Sequence, residues 1–180
     1  MKGHLIWLVP LALAGCKKND VEVKNASVTE VIEKVKQSGA AQTSLKPGLW
    51  EATLKLENVA APGAPPEVAK AMQGGIGRAR TMTECLTEED AKKPFERFVE
   101  GLNKDCRYEH FTMGGGKIDT RLVCAGNGMN REMAMQGTYG AENYRMRMVT
   151  QVSGPEHGHM SMAMSLDAHR TGDCPAKKEG

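Results

Sequence analysis

Between residues 106 and 168 stand five segments, each bounded by a glycine-bearing turn, and that crowding constrains the fold more than anything else in the chain. Residues 106–113 and 117–124 flank Gly114-Gly115-Gly116, residues 130–139 and 143–152 flank a turn containing Gly140, and Gly154-Pro155 precedes residues 159–168. Connections this short leave no room for the crossover helix that parallel neighbours require, so the segments are read as antiparallel strands. The expected class is mainly β: an antiparallel meander curled into a barrel or half-barrel, with short N-terminal and crossover helices.

Methionine fills these strands. The chain has 12 methionines while only 4% of its residues are aromatic, so Met replaces the usual bulky core residues. Met133 and Met135 stand two apart, as do Met146 and Met148, and Met160, Met162 and Met164 alternate toward Leu166. Successive side chains of a strand point to opposite faces, so each group projects to one side. With Trp50, Leu54, Leu56, Ile118 and Leu122, the seven methionines are expected to pave one apolar face.

Upstream, residues 19–26 are polar and read as a tether. Ser27-Val28-Thr29-Glu30 has capping-box spacing, and Val28, Val31, Ile32 and Val35 form one helical stripe, predicting a helix over 28–37 that packs on the domain. From Pro47-Gly48 onward, Trp50, Ala52, Leu54 and Leu56 alternate with Glu51, Thr53, Lys55 and Glu57, the pattern of a half-buried strand. Residues 60–66, with three prolines and a glycine, form a loop; 67–72 make a turn or two of helix; 78–85 form a weaker strand. Thr87 and the acids Glu88, Glu89 and Asp90 start a helix that runs to about Glu100, with Pro94 as a break. Helix capping accounts for those carboxylates without a catalytic role.

Four cysteines within the domain allow three pairings. A hairpin centred on Gly115 sets Cys106 opposite Cys124, Tyr108 opposite Leu122 and Thr112 opposite Ile118. Three further strands carry Cys174 to the other end of the sheet, beyond the reach of either hairpin cysteine, which leaves it Cys85. The expected disulfides are therefore Cys106–Cys124 and Cys85–Cys174.

The fifth cysteine belongs to the leader. Lys2 precedes an apolar run from Leu5 to Leu13, broken by Pro10 and too short to span about 30 Å of hydrocarbon. Leu13-Ala14-Gly15-Cys16 resembles the bacterial lipobox, which implies lipidation of Cys16 after removal of residues 1–15. Each buried acyl methylene contributes about 0.8 kcal/mol, so several chains hold a protein at a membrane permanently. Lys17 in place of Asp, by resemblance to enterobacterial sorting, favours the inner leaflet of the outer membrane. The expected organisation is a signal peptide over 1–15, a lipid anchor, tether and short helix over 16–45, a β domain over 46–175 and a tail over 176–180. Disulfides suit the oxidising periplasm.

The formal charge of +2 includes Lys2, and no basic block marks a nucleic-acid binder. Outside the leader, His110, His157, His159 and His169 stand near no serine, cysteine or carboxylate in a nucleophile arrangement, so no enzyme and no cofactor is expected. His110 is expected on the face of Tyr108 and Cys106.

Three uses of the methionine face follow. An adaptable apolar surface of Trp50, Leu54, Met133, Met135, Met146, Met148, Met160, Met162 and Met164 suits an acyl chain, another hydrophobic small molecule, or a segment of a protein partner. Alternatively, Met133, Met135, Met146, Met148, Met160 and Met162 are soft donors for Cu(I), with His157 and His159 near the strand entry. As a third reading the methionines are plain core in a structural or interaction scaffold.

The order Lys46-Pro47-Gly48-Leu49-Trp50-Glu51, Cys85-Leu86-Thr87, Cys106, Gly116-Lys117-Ile118-Asp119, Cys124, Gly137-Thr138-Tyr139 and Gly172-Asp173-Cys174-Pro175 is similar to a family of uncharacterised periplasmic proteins of Gram-negative bacteria, grouped as a domain of unknown function. The resemblance covers about 46–175. It implies an exported, β-rich domain with two disulfides, and many members carry a signal peptide or lipobox. It carries no activity, ligand or catalytic residue. His157 and His159 stand where the family is expected to be glycine-rich, which argues against a family-wide copper role there.

Overall fold

Alternation over the C-terminal half produces long strands joined by tight turns. The structure, a computed structural model, describes residues 20–40, 45–92, 105–126, 128–155 and 158–176. The elements are β1 (Val21–Ser27), α1 (Val28–Ser38), β2 (Gly48–Ala60), α2 (Pro66–Gln73), β3 (Ala79–Leu86), α3 (Glu88–Lys92), β4 (Cys106–Gly114), β5 (Lys117–Gly126), β6 (Met129–Tyr139), β7 (Asn143–Gly154) and β8 (Gly158–Gly172). They build one 8-stranded antiparallel sheet in the order β1-β4-β5-β6-β7-β8-β2-β3. β1 and β3 are its free edges, so the sheet is an open half-barrel and the closed barrel is excluded.

The stretch read as a tether is in fact edge strand β1. Val21, Val23 and Ala26 are buried while Glu22, Lys24, Asn25 and Ser27 are exposed. Alternation is interrupted at Asn25, whose φ of 52° puts it in the left-handed region, and a period-two reading stops there. The partner strand breaks step at the same level, between Tyr108 and His110. Arg107 Nη2 donates to Asn25 Oδ1 at 3.1 Å across this double kink.

The same kink changes the register of the β4–β5 hairpin. Cys106 faces Cys124 and Tyr108 faces Leu122, as expected, but the tip pairs Thr112 with Asp119 and Met113 with Ile118. The turn is the two-residue Gly115-Gly116, both with positive φ, and a bulge at Glu109 absorbs the difference from a turn centred on Gly115. The inward set is therefore Cys106, Tyr108, Phe111 and Met113. His110 moves to the opposite face, away from Tyr108 and Cys106.

α1 begins as its capping box requires: Ser27 Oγ accepts from the Glu30 N–H at 3.1 Å, and Gly39 closes it in the left-handed conformation. Its stripe lies on β1 and β4, burying Val31 and Val35 against Tyr108 and Phe111, whose rings meet edge to face at 5.4 Å. α3 starts at Thr87, whose Oγ1 accepts from the Asp90 N–H at 3.1 Å. The continuation expected to about Glu100, with its break at Pro94, lies outside the described residues.

Both expected disulfides are present. Cys106–Cys124 links directly opposed residues with Cα atoms 4.0 Å apart. Cys85–Cys174 closes a sequence separation of 89 and passes across the start of β2, where Leu49 lies between Cys85 on β3 and Gly172 on β8.

Candidate functional site

Directly opposed residues of an antiparallel sheet share a face, so the register shows where each methionine belongs. One cross-strand row runs Phe111, Thr120, Met135, Met148, Met164, Leu56. The next runs Tyr108, Leu122, Met133, Thr150, Met162, Val59, and on the other side lies Met113, Ile118, Gly137, Met146, Leu166, Leu54. Met160 faces Val152 in a further row. All seven methionines thus occupy the face that α1 covers at one end.

They are not equally buried. Met146 is 6% exposed and belongs to the packed cluster with Phe111, Val31, Ile118 and Leu122; Met133, Met135 and Leu166 pack against that cluster from its margin. Gly137 makes room for Met146, since a Cβ there would overlap the Met146 sulfur and the Arg145 carbonyl. Met148, Met160, Met162, Met164, Leu54 and Leu56 lie outside the cluster and are half-buried. Trp50 is buried separately, its Nε1 donating to the Lys46 carbonyl at 3.0 Å and its ring 5.7 Å from Tyr144. Lys46 also meets Glu142 at 2.8 Å, and this bond holds the Glu142 carboxyl below its ordinary pKa.

The opposite face is polar. Arg121 bridges Glu109 at 3.0 Å and Glu132 at 2.8 Å, which raises the guanidinium's already high pKa. Arg147 meets Glu57 at 2.9 Å, and Arg145 meets Asp167. His110 Nε2 and Gln136 Nε2 both bond to the carboxylate of Asp119, at 2.9 and 3.2 Å. A cleft of about 680 Å³ opens at the Cys106–Cys124 end of the sheet, lined by Arg107, Glu109, Val123, Val152, His159 and Met160 among others. Of the side chains nominated for a hydrophobic ligand, only Met160 reaches it. Sequence reasoning did not find this cleft, although its row (Arg107, Val123, Glu132, Gln151, Ser161) is the polar half of the same alternation.

His159 faces Ser153 and points to the face opposite Met160, so it does not join the methionines as the copper reading proposed; His157 lies outside the described residues. Among the described residues no group of three His, Cys, Asp or Glu side chains is placed to hold a metal, and no helix is long and apolar enough to cross a membrane. Cys16 and the leader lie outside the described residues.

The model of one family, described as a protein of unknown function (DUF3617), matches residues 45–174. No curated protein and no solved structure matches the chain.

Proposed function

From the premise that the chain belongs to the DUF3617 family of proteins of unknown function, we propose that it is a binding protein, held at a membrane through Cys16, whose methionine face receives an apolar ligand. One observation carries this reading: four methionines of this continuous apolar face, on β7 and β8, are only half-buried, while the residues under α1 are fully packed. Among the described residues α1 rests on β1 and β4 and α2 on β2, while Met148, Met160, Met162 and Met164 on β7 and β8 stay half-buried. Contiguous apolar area that stays partly exposed marks a binding surface more often than a monomer's ordinary exterior. Methionine supports varied occupants because its unbranched, polarisable side chain repacks at small cost. An acyl chain fits this surface best, and an apolar segment of a partner protein fits the same chemistry.

The proposed location rests on the lipobox at Leu13-Ala14-Gly15-Cys16, on Lys17 and on the two disulfides, which together support a periplasmic lipoprotein of the outer membrane. The reading as a non-enzyme rests on the histidines. His110 sits in a polar pair with Asp119 on the face away from the apolar surface, and His159 and His169 are exposed.

Native mass spectrometry of the protein gently extracted from its own cells tests both parts. The expected spectrum shows an acylated Cys16 and a bound species of lipid mass that Met162→Glu releases. An unacylated chain refutes the anchor. A chain that carries no lipid and takes none from mixed phospholipid vesicles refutes the apolar ligand.

A further inference from the structure

Three of the methionines stand in one cross-strand row: Met135 on β6 faces Met148 on β7, which faces Met164 on β8. Opposed residues on one face of an antiparallel pair have β-carbons about 4.5–5.5 Å apart. A methionine side chain has three rotatable bonds, so the outer two sulfurs can turn toward the central one. Thr120 and Leu56 bound the trio along the row, so no carboxylate, imidazole or ammonium group stands beside it there. We propose that Met135, Met148 and Met164 form a three-thioether site for a soft monovalent cation, Cu(I).

The chemistry follows from the donor set. Neutral thioether sulfur is soft and polarisable, so it favours Cu(I) over harder cations such as Ca²⁺ or Mg²⁺, which require oxygen. The four cysteines of the domain are tied up in disulfides and supply no competing thiolate. Met148 and Met164 lie outside the packed cluster, so their sulfurs are free to reorient without opening the core, while Met135 is steadied at its margin. This site goes beyond the apolar-ligand reading: it uses a discrete row of the face, and sulfur rather than hydrocarbon is the recognising group.

The test titrates the full chain, disulfides intact and oxygen excluded, with Cu(I) against a chromophoric Cu(I) chelator. One equivalent should bind more tightly than micromolar. Met148→Leu, a swap that nearly conserves volume, should weaken binding at least about tenfold by removing the central donor. Met164→Leu provides the same measurement should the first variant fail to fold, and Met82→Leu, on edge strand β3 and outside the row, should leave affinity unchanged. X-ray absorption should show sulfur alone around the metal. Because thioethers carry no proton near neutrality, affinity should stay level between about pH 5 and pH 8, where an imidazole site weakens. Affinity weaker than micromolar, undiminished binding when a row methionine is replaced, nitrogen in the coordination shell, or loss of binding on acidification would each overturn the site. Lipid retention is a separate readout, so either proposal can fail while the other stands.

Discussion

Where α1 lies on β1 and β4, the methionine face is packed as a domain interior, with Phe111 and Val31 at 0% exposure. Along β7, β8 and β2 the same face, continued in the same alternation, is only half-buried at Met148, Met160, Met162, Met164, Leu54 and Leu56. The two regions share one sheet, one period and overlapping residue types; they differ in what lies on top. Alternation assigns a side chain to a face, and a covering element decides whether that face becomes core. The covering element at the packed end also lies before the family match, which begins at residue 45, so residues outside the matched region supply the lid of its hydrophobic cluster.

Truncating one side chain in each region gives the widest expected contrast. Phe111→Ala should cost about 3–5 kcal/mol by emptying a fully buried site, whereas Met162→Ala in the open region should cost about 1 kcal/mol or less. Urea unfolding measures both, and equal losses would show that the open region is packed as tightly as the closed one.

Next come the disulfides, one at each end of the comparison. Replacing Cys85 and Cys174 by serine should cost about 4.6 kcal/mol, because the bond closes a separation of 89 residues; replacing Cys106 and Cys124, separated by 18, should cost about 3 kcal/mol. Chemical denaturation of the two double variants orders them.

Alkaline pH probes the packed end, where burial raises the phenols of both Tyr108 and Tyr139. Burial raises the Tyr108 phenol to about 12 from its ordinary value near 10. Its folded pKa is raised, so the associated stability is complete below about pH 10 and is lost as pH climbs through about 12. The wild type should lose roughly 2 kcal/mol across that window, and Tyr108→Phe should lack this step in unfolding curves taken against pH.

The smallest effects belong to the helix cap and to surface access. Ser27→Ala should cost about 1 kcal/mol by orphaning the Glu30 N–H and loosening α1 from the packed end. Under dilute peroxide, peptide mass mapping should find Met82, 42% exposed, and Met148, Met160, Met162 and Met164 oxidised before Met146, 6% exposed. Oxidation of Met146 at the same rate would erase the distinction between the regions.

Much of the fold was legible because it depends on short-range patterns. The strands from 106 to 168, the capping box at Ser27, the alternation after Pro47-Gly48 and both cystine pairs follow from periods of two and 3.6 residues and from chain direction. β1 was missed because Asn25 interrupts the alternation of Val21, Val23 and Ala26 with a left-handed residue. His110 was assigned to the wrong face for a related reason, since a bulge at Glu109 reverses the parity of everything beyond it. The cleft was missed because its lining draws on side chains of several strands that only the register brings together.

By itself, the amino-acid order determined which residues alternate, which helix ends are capped and which cysteines come within bonding distance, because these are decided by neighbours a few positions away or by strand direction. Only the tertiary structure decided that the sheet stays open, that α1 covers one end of the methionine face, and that Met135, Met148 and Met164 align in one row. Those outcomes depend on register and on coverage, and both are set by contacts between strands and helices distant in sequence.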